Sequence, residues 1–240
     1  MPAYNAARYI DSAIATVRDQ TFTNWELLIV DDASSDETYS LAENWASQDE
    51  RIQALKQSRN GGVAKARNLA LEHASGKFIA FLDSDDLWEP DKLQQQVSFM
   101  ERENCLICYS HYRRIDEQGG PLGVVKPPNS VTYKKLLQSN FIGNLTGIYN
   151  QEILGKEYLT DFRHEDYVAW LELVKRAGEA RGIPEVLASY RVYSGSTSSN
   201  KLRTILWQWK IYRYSQSIGL IRSSWLMVLY ALNALKKRSG

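Results

Sequence analysis

Hydrophobic and polar positions follow two periods along this chain, one helical and one extended. Between residues 5 and 19, Ile10, Ala13, Ile14 and Val17 fall at i, i+3, i+4 and i+7, the stripe of a helix with one buried face. "WELLIVDD" (25–32) is a short apolar run that ends in two aspartates, which reads as a strand. "SSDETYSLAENWA" then predicts a second helix with Ser35 and Asp36 as N-caps. "IQALKQ" (52–57) predicts a strand, Gly61-Gly62 a turn, and Val63, Ala66, Ala70 and Ala74 one face of a third helix. "KFIAFLD" (77–83) is a strand, "PDKLQQQVSFMERE" a helix with Pro90 near its first turn, and "CLICYS" a strand again. Strands alternating with helices at this spacing predict an α/β fold with a parallel-rich sheet. In the second half, residues 111–130 read as a loose hairpin or loop around Gly119-Gly120-Pro121 and Pro127-Pro128. A short helix (131–139), a strand "NLTGIYN" and a helix over 165–177 follow, the last with Tyr167, Trp170, Leu171 and Val174 as its stripe. "IPEVLASYRVY" is the last strand, and two helical segments occupy 201–238. No internal repeat or low-complexity segment interrupts the pattern.

The polar residues that end these runs are not evenly placed. "PAYN", "VDDASSD" and "FLDSDD" all lie at the C-terminal side of strand candidates, and open α/β sheets bind ligands outside the carboxyl ends of their strands. In "FLDSDDLWEP" three carboxylates, Asp83, Asp85 and Asp86, fall within four residues. Charges this close repel, so the cluster implies a cation among them. Asp83 and Asp85, at i and i+2 of a strand end, project to the same side, where two oxygens suit Mg²⁺ or Mn²⁺ bound with substrate phosphates. A lone Asp-x-Asp is most often a solvated turn; the two companion strand ends are what favour a site here.

Composition changes this picture in one respect. The 240 residues are 44% hydrophobic and 24% charged, ordinary for a globular protein, and the formal net charge is only +1. Yet the last acidic residue is Glu185, and the nine basic residues beyond it leave 20 for residues 1–185 against 28 acids, a net of −8. An acidic body with a basic tail points to an anionic partner for the tail, membrane surface or nucleic acid, and no nucleic-acid motif is present. Residues 223–235 carry no charge and lie between Arg222 and Lys236-Lys237-Arg238, with Trp225, Val228, Leu229 and Leu232 at helical spacing. That stretch is too short to span a bilayer; it suits a helix lying in the interface, or one packed on the main domain, and Trp207 and Trp209 fit core or surface equally. Cys105 and Cys108 point to opposite faces of a strand and read as reduced core cysteines rather than a metal or redox pair. "MPAYNAARYIDS" has no apolar core of a signal peptide, so a cytoplasmic protein is expected.

"PAYNAARYI", "LLIVDDASSDET", "NGGVAKARNLALEHASGKFIAFLDSDDLWEPDKL", "HEDYVAWLEL" and "YRVYSGSTS" resemble, in order, the motifs of family 2 glycosyltransferases with the GT-A fold. The resemblance covers about residues 1–200. It implies a GT-A-type, Rossmann-like, mixed and mostly parallel sheet flanked by helices, with residues 201–240 as a basic amphipathic helical tail. It implies an inverting transferase that moves a sugar from a nucleotide-sugar donor, mostly a UDP-sugar, to a hydroxyl of a glycan or polyprenyl-diphosphate-linked acceptor in bacterial surface-polysaccharide synthesis. Such an enzyme would be peripheral on the cytoplasmic face of the inner membrane. By the same resemblance, Pro2, Ala3, Tyr4, Asn5 and the pair Asp31 and Asp32 belong to the nucleoside pocket, with one aspartate of the pair on the base. Lys65 and Arg67 border the diphosphate, Arg191 contacts it, Asp83 lies near the ribose, and Asp85, with Asp83 and Asp86, holds Mn²⁺ or Mg²⁺. Asp166, beside Glu165, is the catalytic base; His164 is the competing candidate. Turn and capping chemistry is the plain alternative for Asp31 and Asp32, a solvated helix face for Lys65 and Arg67, and a helix N-terminal carboxylate for Asp166. Two other functions remain open at this point, a non-catalytic nucleotide-sugar-binding subunit and a sugar-phosphate nucleotidyltransferase, although the latter wants a Gly-rich basic loop after its first strand and "PAYNAARY" is not one.

Two departures stand out. Family members carry an apolar strand before the first motif, whereas this chain begins at Met1-Pro2, so either a late start or a gap in the sheet is expected. Tyr193 stands where members commonly have a histidine associated with metal and diphosphate. A phenol is a poor ligand at neutral pH, which predicts a weaker metal site, with Arg191, Ser196 and Ser198 taking some diphosphate contacts.

Overall fold

The computed structural model describes residues 1–160, 162–193 and 201–236. Pro2–Ala3 (β1) pairs in parallel with Leu27–Asp31 (β2), and β2 in parallel with Ile52–Lys56 (β3). Helices Ile10–Arg18 (α1), Thr38–Gln48 (α2) and Val63–His73 (α3) connect and cover them. Every residue of β2 is buried, as a continuous apolar run requires. All four stripe residues of α1 are buried. On α3 the buried face differs from the expected one: Val63 is exposed, and Ala66, Arg67 and Leu71 point inward. The face is turned because Arg67 has partly buried acidic partners, described below, that a small-residue count does not register.

The second sheet begins with Phe78–Ala80 (β4) and Leu87–Trp88 (β5). Lys92–Glu103 (α4) leads to Ile107–Ile115 (β6), Pro121–Val125 (β7) and Ser130–Thr132 (β8). Then come Tyr133–Leu136 (α5), a 3-10 turn at Asn144–Thr146, Ile148–Asn150 (β9), Gln151–Leu154 (α6), Glu165–Ala177 (α7) and Glu179–Arg191 (β10). The order is β4-β9-β6-β10-β5, with β7 on β6 and β8 on β10. Here β6 and β10 are parallel and the other described pairings antiparallel, so the fold is a mixed α/β one whose parallel character is concentrated in the first half. The segment 111–130 resolves into a hairpin: β6 runs on to Ile115 and returns as β7. Its turn is held by Asp116, whose Oδ1 accepts from the backbone of Gln118 and Gly120, and Gly119 supplies the positive φ of 91°.

β1 is two residues long, and β2 and β4 belong to different sheets. A cavity of about 510 Å³ between them is lined from one side by Leu27 and Leu28 and from the other by Ile79 and Phe81.

The main core lies under the second sheet, where Trp170 of α7 meets Phe81 edge-on at 6.0 Å and Tyr149 at 6.3 Å. Gly147 lies against this indole so closely that a Cβ would come within 2.2 Å of it, which requires glycine there. Residues 201–236 form Lys201–Lys210 (α8), a π-helical turn at Ile211–Ser215, and Leu220–Lys236 (α9). They join the same core through Ile211, Tyr212, Ile218 and Leu226. Cys105 and Cys108 are free, and burial pushes the Cys108 thiol up to about 12, far from a thiolate.

Candidate active site

The C-terminal ends of β1 and β2 are laced together by their own loops. Asn5, at φ 48°, accepts from the backbone of Ser35 through Oδ1, while its own N–H donates to Ser34 Oγ. Asp36 receives the backbone N–H groups of Ala7 and Thr38. It therefore serves the start of α2 as expected, although the capping position itself is Glu37. Pro2 and Ala3 are buried in the β1 ladder, and Tyr4 and Asn5 are exposed beyond it. The two aspartates of the pair have different duties. Asp32 clamps the glycine turn, its carboxylate oxygens accepting from Gly61 N at 2.7 Å and Gly62 N at 2.8 Å. The carboxylate of Asp31, a fully buried residue, accepts from Ser34 N alone among the described residues, at 3.2 and 3.4 Å.

The second constellation centres on Arg67. The guanidinium reaches inward from α3 and bridges two carboxylates, Asp83 at 2.5 Å and Glu165 at 2.9 Å. One buried cation thus joins the end of the fourth strand to the first turn of α7. Burial pushes the Glu165 carboxyl up, and the Arg67 charge opposes that shift. Lys65, one turn face away, is exposed.

The three clustered aspartates also have separate partners. Asp83 is engaged by Arg67. Asp86, 1% exposed, accepts the Arg191 backbone N–H at 2.9 Å. Asp85 is half-buried and hydrogen-bonded to the Tyr193 hydroxyl, and Arg191 Nε donates to its backbone carbonyl. Arg191 spends its other donors on the Asp116 and Glu117 carbonyls and lies 4.7 Å from the Tyr9 ring centroid. Among the described residues, no group of three or more His, Cys, Asp and Glu side chains stands in position to hold a metal ion. Of the three expected carboxylates, Asp83 is engaged by arginine and Asp86 by backbone. Burial, with repulsion from Asp83, raises the Asp85 carboxyl; burial, with Asp83 and Asp85, raises Asp86 well above its ordinary value. This donor set fits one ion held through Asp85 with a diphosphate completing the coordination, since Mg²⁺-type ions take one or two carboxylates plus phosphate oxygens. Ser196 and Ser198 lie outside the described residues.

A cavity of about 480 Å³ opens between these elements, a size suited to small-molecule ligands. Asp83, Asp86, Arg67 and Glu165 form one side of it. Asp166, in the first turn of α7, lines it too, and among the described residues its carboxylate has no hydrogen-bond or ion-pair partner. His164 caps α7 in the left-handed conformation at φ 62°, with Nε2 buried and unpartnered, a poor position for a general base. The sequence did not foretell the rest of the lining. It comes from Tyr112 and Tyr190, which contact edge-to-face at 6.3 Å, from Asn144 of the 3-10 turn, and from Arg163 and Trp207. Of these, Arg163 adjoins "HEDYVAWLEL" and Tyr190 opens "YRVYSGSTS"; Tyr112, Asn144 and Trp207 converge from segments with no local pattern.

The sequence model of glycosyl transferase family 2 matches residues 1–154. A Bacillus subtilis protein named as a candidate teichuronic acid biosynthesis glycosyltransferase, TuaG, is 39% identical over 239 residues, covering 99% of this chain and 95% of that protein. Escherichia coli WfgD, a UDP-Glc:alpha-D-GlcNAc-diphosphoundecaprenol beta-1,3-glucosyltransferase, is 39% identical over 88% of this chain and 83% of its own length. Among solved structures, S. aureus TarS 1-349 in complex with UDP-GlcNAc superposes with a TM-score of 0.73 at 19% identity, over 96% of this chain and 70% of that one. The mannosyltransferase PcManGT of Pyrobaculum calidifontis, in complex with GDP-Man and Mn²⁺, does so with 0.71 at 19% identity, over 100% and 74%. These structural likenesses establish the GT-A-like fold, and the sequence matches go further: the chain belongs to glycosyl transferase family 2.

Proposed function

We propose that this protein is an inverting hexosyltransferase that uses a UDP-sugar and a polyprenyl-diphosphate-linked sugar acceptor in surface-polysaccharide assembly. The observation that carries the chemistry is Asp166: an unpartnered carboxylate in the same cavity as Asp83 and Asp86, at the opposite end of the Arg67 bridge from the nucleotide motifs. In the reaction an acceptor hydroxyl oxygen bonds to the anomeric carbon as the bond from that carbon to the diphosphate oxygen breaks. The hydroxyl proton goes to Asp166 and the electron pair leaves with the diphosphate. A single displacement of this kind inverts the anomeric carbon, and general-base help of this type contributes about 10²–10⁴-fold. Pro2 to Asn5 and Asp31 supply the nucleoside side; Asp32 acts through the glycine turn it holds. Asp85 would hold Mn²⁺ or Mg²⁺, which when bound stabilises charge on the departing diphosphate. Arg67 bridges Asp83 and Glu165 and so positions Asp166 relative to the strand end.

The WfgD name supplies the acceptor class, a lipid diphosphate carrying N-acetylglucosamine. Among the described residues no helix is long and apolar enough to cross a membrane. A lipid-linked acceptor is therefore met at the bilayer surface, and the basic C-terminal segment is the part of the chain suited to it. The test is UDP release from UDP-glucose with a short-chain N-acetylglucosaminyl diphosphate lipid, with the product anomer read by NMR. A β-linked product is expected, and Asp166→Asn should lower kcat by about 10²-fold or more with donor affinity retained. Loss of donor affinity instead would make Asp166 a binding residue, and an α-linked product would overturn inversion.

A further inference from the structure

Part of the cavity lining, next to the first turn of α7, has a chemistry of its own. Two cations line the cavity, and they differ in what they do. Arg67 bridges Asp83 and Glu165 through its two Nη atoms, its Nε being buried and without a partner among the described residues. Arg163 is exposed, has no carboxylate partner among the described residues, and lies with its guanidinium carbon 5.8 Å from the centroid of the Trp207 ring. His164 meets the same indole edge-on at 5.4 Å, which holds Trp207 on a second side. Trp207 is carried by α8, and its neighbours explain why it stays there. Gln208 is buried and its Nε2 donates to the Tyr167 hydroxyl at 3.5 Å; Ile211 and Tyr212 are fully buried, and the Tyr212 hydroxyl donates to the Leu137 carbonyl. The helix is thus anchored by residues just after the tryptophan, and the tryptophan is left half-buried at the cavity.

An aromatic ring and an unspent guanidinium, side by side, form a recognition pair for a pyranose that carries phosphate. The apolar face of a sugar ring packs on indole, and Arg is the side chain suited to phosphate oxygens. Asp83, Asp86, Glu165 and Asp166 also line the cavity, so an anionic group that enters it is drawn to the Arg163 guanidinium rather than to them. We propose that Trp207 and Arg163 form the acceptor subsite, Trp207 as the platform for the acceptor sugar and Arg163 as the contact to its 1-diphosphate. This rests on the glycosyltransferase reading above and assigns the acceptor side of that site. It also makes α8 a wall of the catalytic cavity, so that the C-terminal segment contributes to acceptor choice as well as to location.

The test uses the full chain with UDP-glucose and two acceptors, N-acetylglucosamine 1-diphosphate bearing an alkyl chain and the matching alkyl glycoside without phosphate. Trp207→Ala is expected to raise the acceptor KM at least tenfold for both acceptors, with the donor KM changed less than twofold. Arg163→Ala is expected to erase the preference of the wild type for the diphosphate acceptor, and Arg163→Lys to restore part of it. Trp207→Phe, expected to keep most of the acceptor affinity, stands in if the alanine variant melts early. Unchanged acceptor KM in Trp207→Ala, or an undiminished diphosphate preference in Arg163→Ala, overturns the subsite while leaving the transferase reading intact. Absence of UDP release from the wild type with every nucleotide sugar overturns the transferase reading, and the subsite with it.

Discussion

Single residues in this protein show how strongly burial decides the meaning of a charge. Arg67 reads from the sequence as one more cation on a helix face, yet it is among the most buried charges of the molecule and holds two segments of the site together. Lys92 is the opposite case. It is fully buried on α4, donates to Gln96 Oε1 at 2.6 Å, lies 4.1 Å from the Trp88 ring centroid and has the neutral Cys108 thiol nearby, with no carboxylate bonded to it. Burial lowers its pKa to about 7, so the native state binds fewer protons than the unfolded chain between about pH 7 and the ordinary lysine value near 10.4. Stability from this group therefore rises with pH across that window and is lowest, and flat, below it. Lys92→Met is expected to raise Tm at pH 7 and to flatten the rise of Tm between pH 7 and pH 10. An unchanged slope in thermal melts across that range would show that Lys92 does not titrate as argued. Position on a helix was legible for both residues; inward orientation was not, because it depends on partners at Asp83, Glu165 and Trp88 that converge only in three dimensions.

At the scale of elements, the strongest periodic signals were read correctly. The stripes of α1 and α7 are buried as spaced, and the segment "FLDSDD" contributes Asp83 and Asp86 to the cavity that Asp166 lines. What escaped were elements too short to show a period, β5 and α6, and the antiparallel returns of the second sheet, which depend on long-range pairing. The helix α9 shows both of the readings its sequence allows. Ser223 and Leu226 are buried against the core, while Ile221, Trp225, Val228 and Leu232 form an exposed apolar row, 90%, 62%, 50% and 50% accessible, at spacings of one helical turn. Leu229 belongs to the packed side. An exposed apolar row beside Arg222 and ahead of Lys236-Lys237-Arg238 suits an anionic lipid surface. The full chain is expected to sediment with phosphatidylglycerol vesicles at low salt and less at high salt. Serine at all four exposed positions should leave it in the supernatant with its Tm preserved, because none of the four contributes to the core. Equal sedimentation of the variant would assign any vesicle binding to charge alone.

For the whole molecule, the acidic body and the two-part sheet set the terms on which metal and nucleotide bind. The residues at the strand ends were legible as a carboxylate cluster; their mutual commitments were not, because they involve Arg67 from α3, the Arg191 backbone from β10 and the Tyr193 hydroxyl. Only Asp85 remains to a cation, and burial together with the Asp83 charge pushes its carboxyl up. A divalent ion alone would gain one monodentate carboxylate here and would have to displace the Tyr193 hydroxyl. A nucleoside diphosphate alone would bring its negative charge to a surface that already carries three aspartates. Each ligand thus removes the obstacle to the other, which is a coupling free energy and must be reciprocal. Calorimetry of Mn²⁺ into the free protein is expected to show weak binding, and into the UDP-saturated protein binding at least tenfold tighter. UDP should in turn bind tighter by the same factor at saturating Mn²⁺, and Tyr193→His should tighten Mn²⁺ binding to the UDP-free protein by supplying an imidazole ligand. Equal Mn²⁺ affinity with and without UDP would remove the shared site, and an unchanged affinity in Tyr193→His would place residue 193 outside the metal shell, with its hydroxyl serving only to hold Asp85.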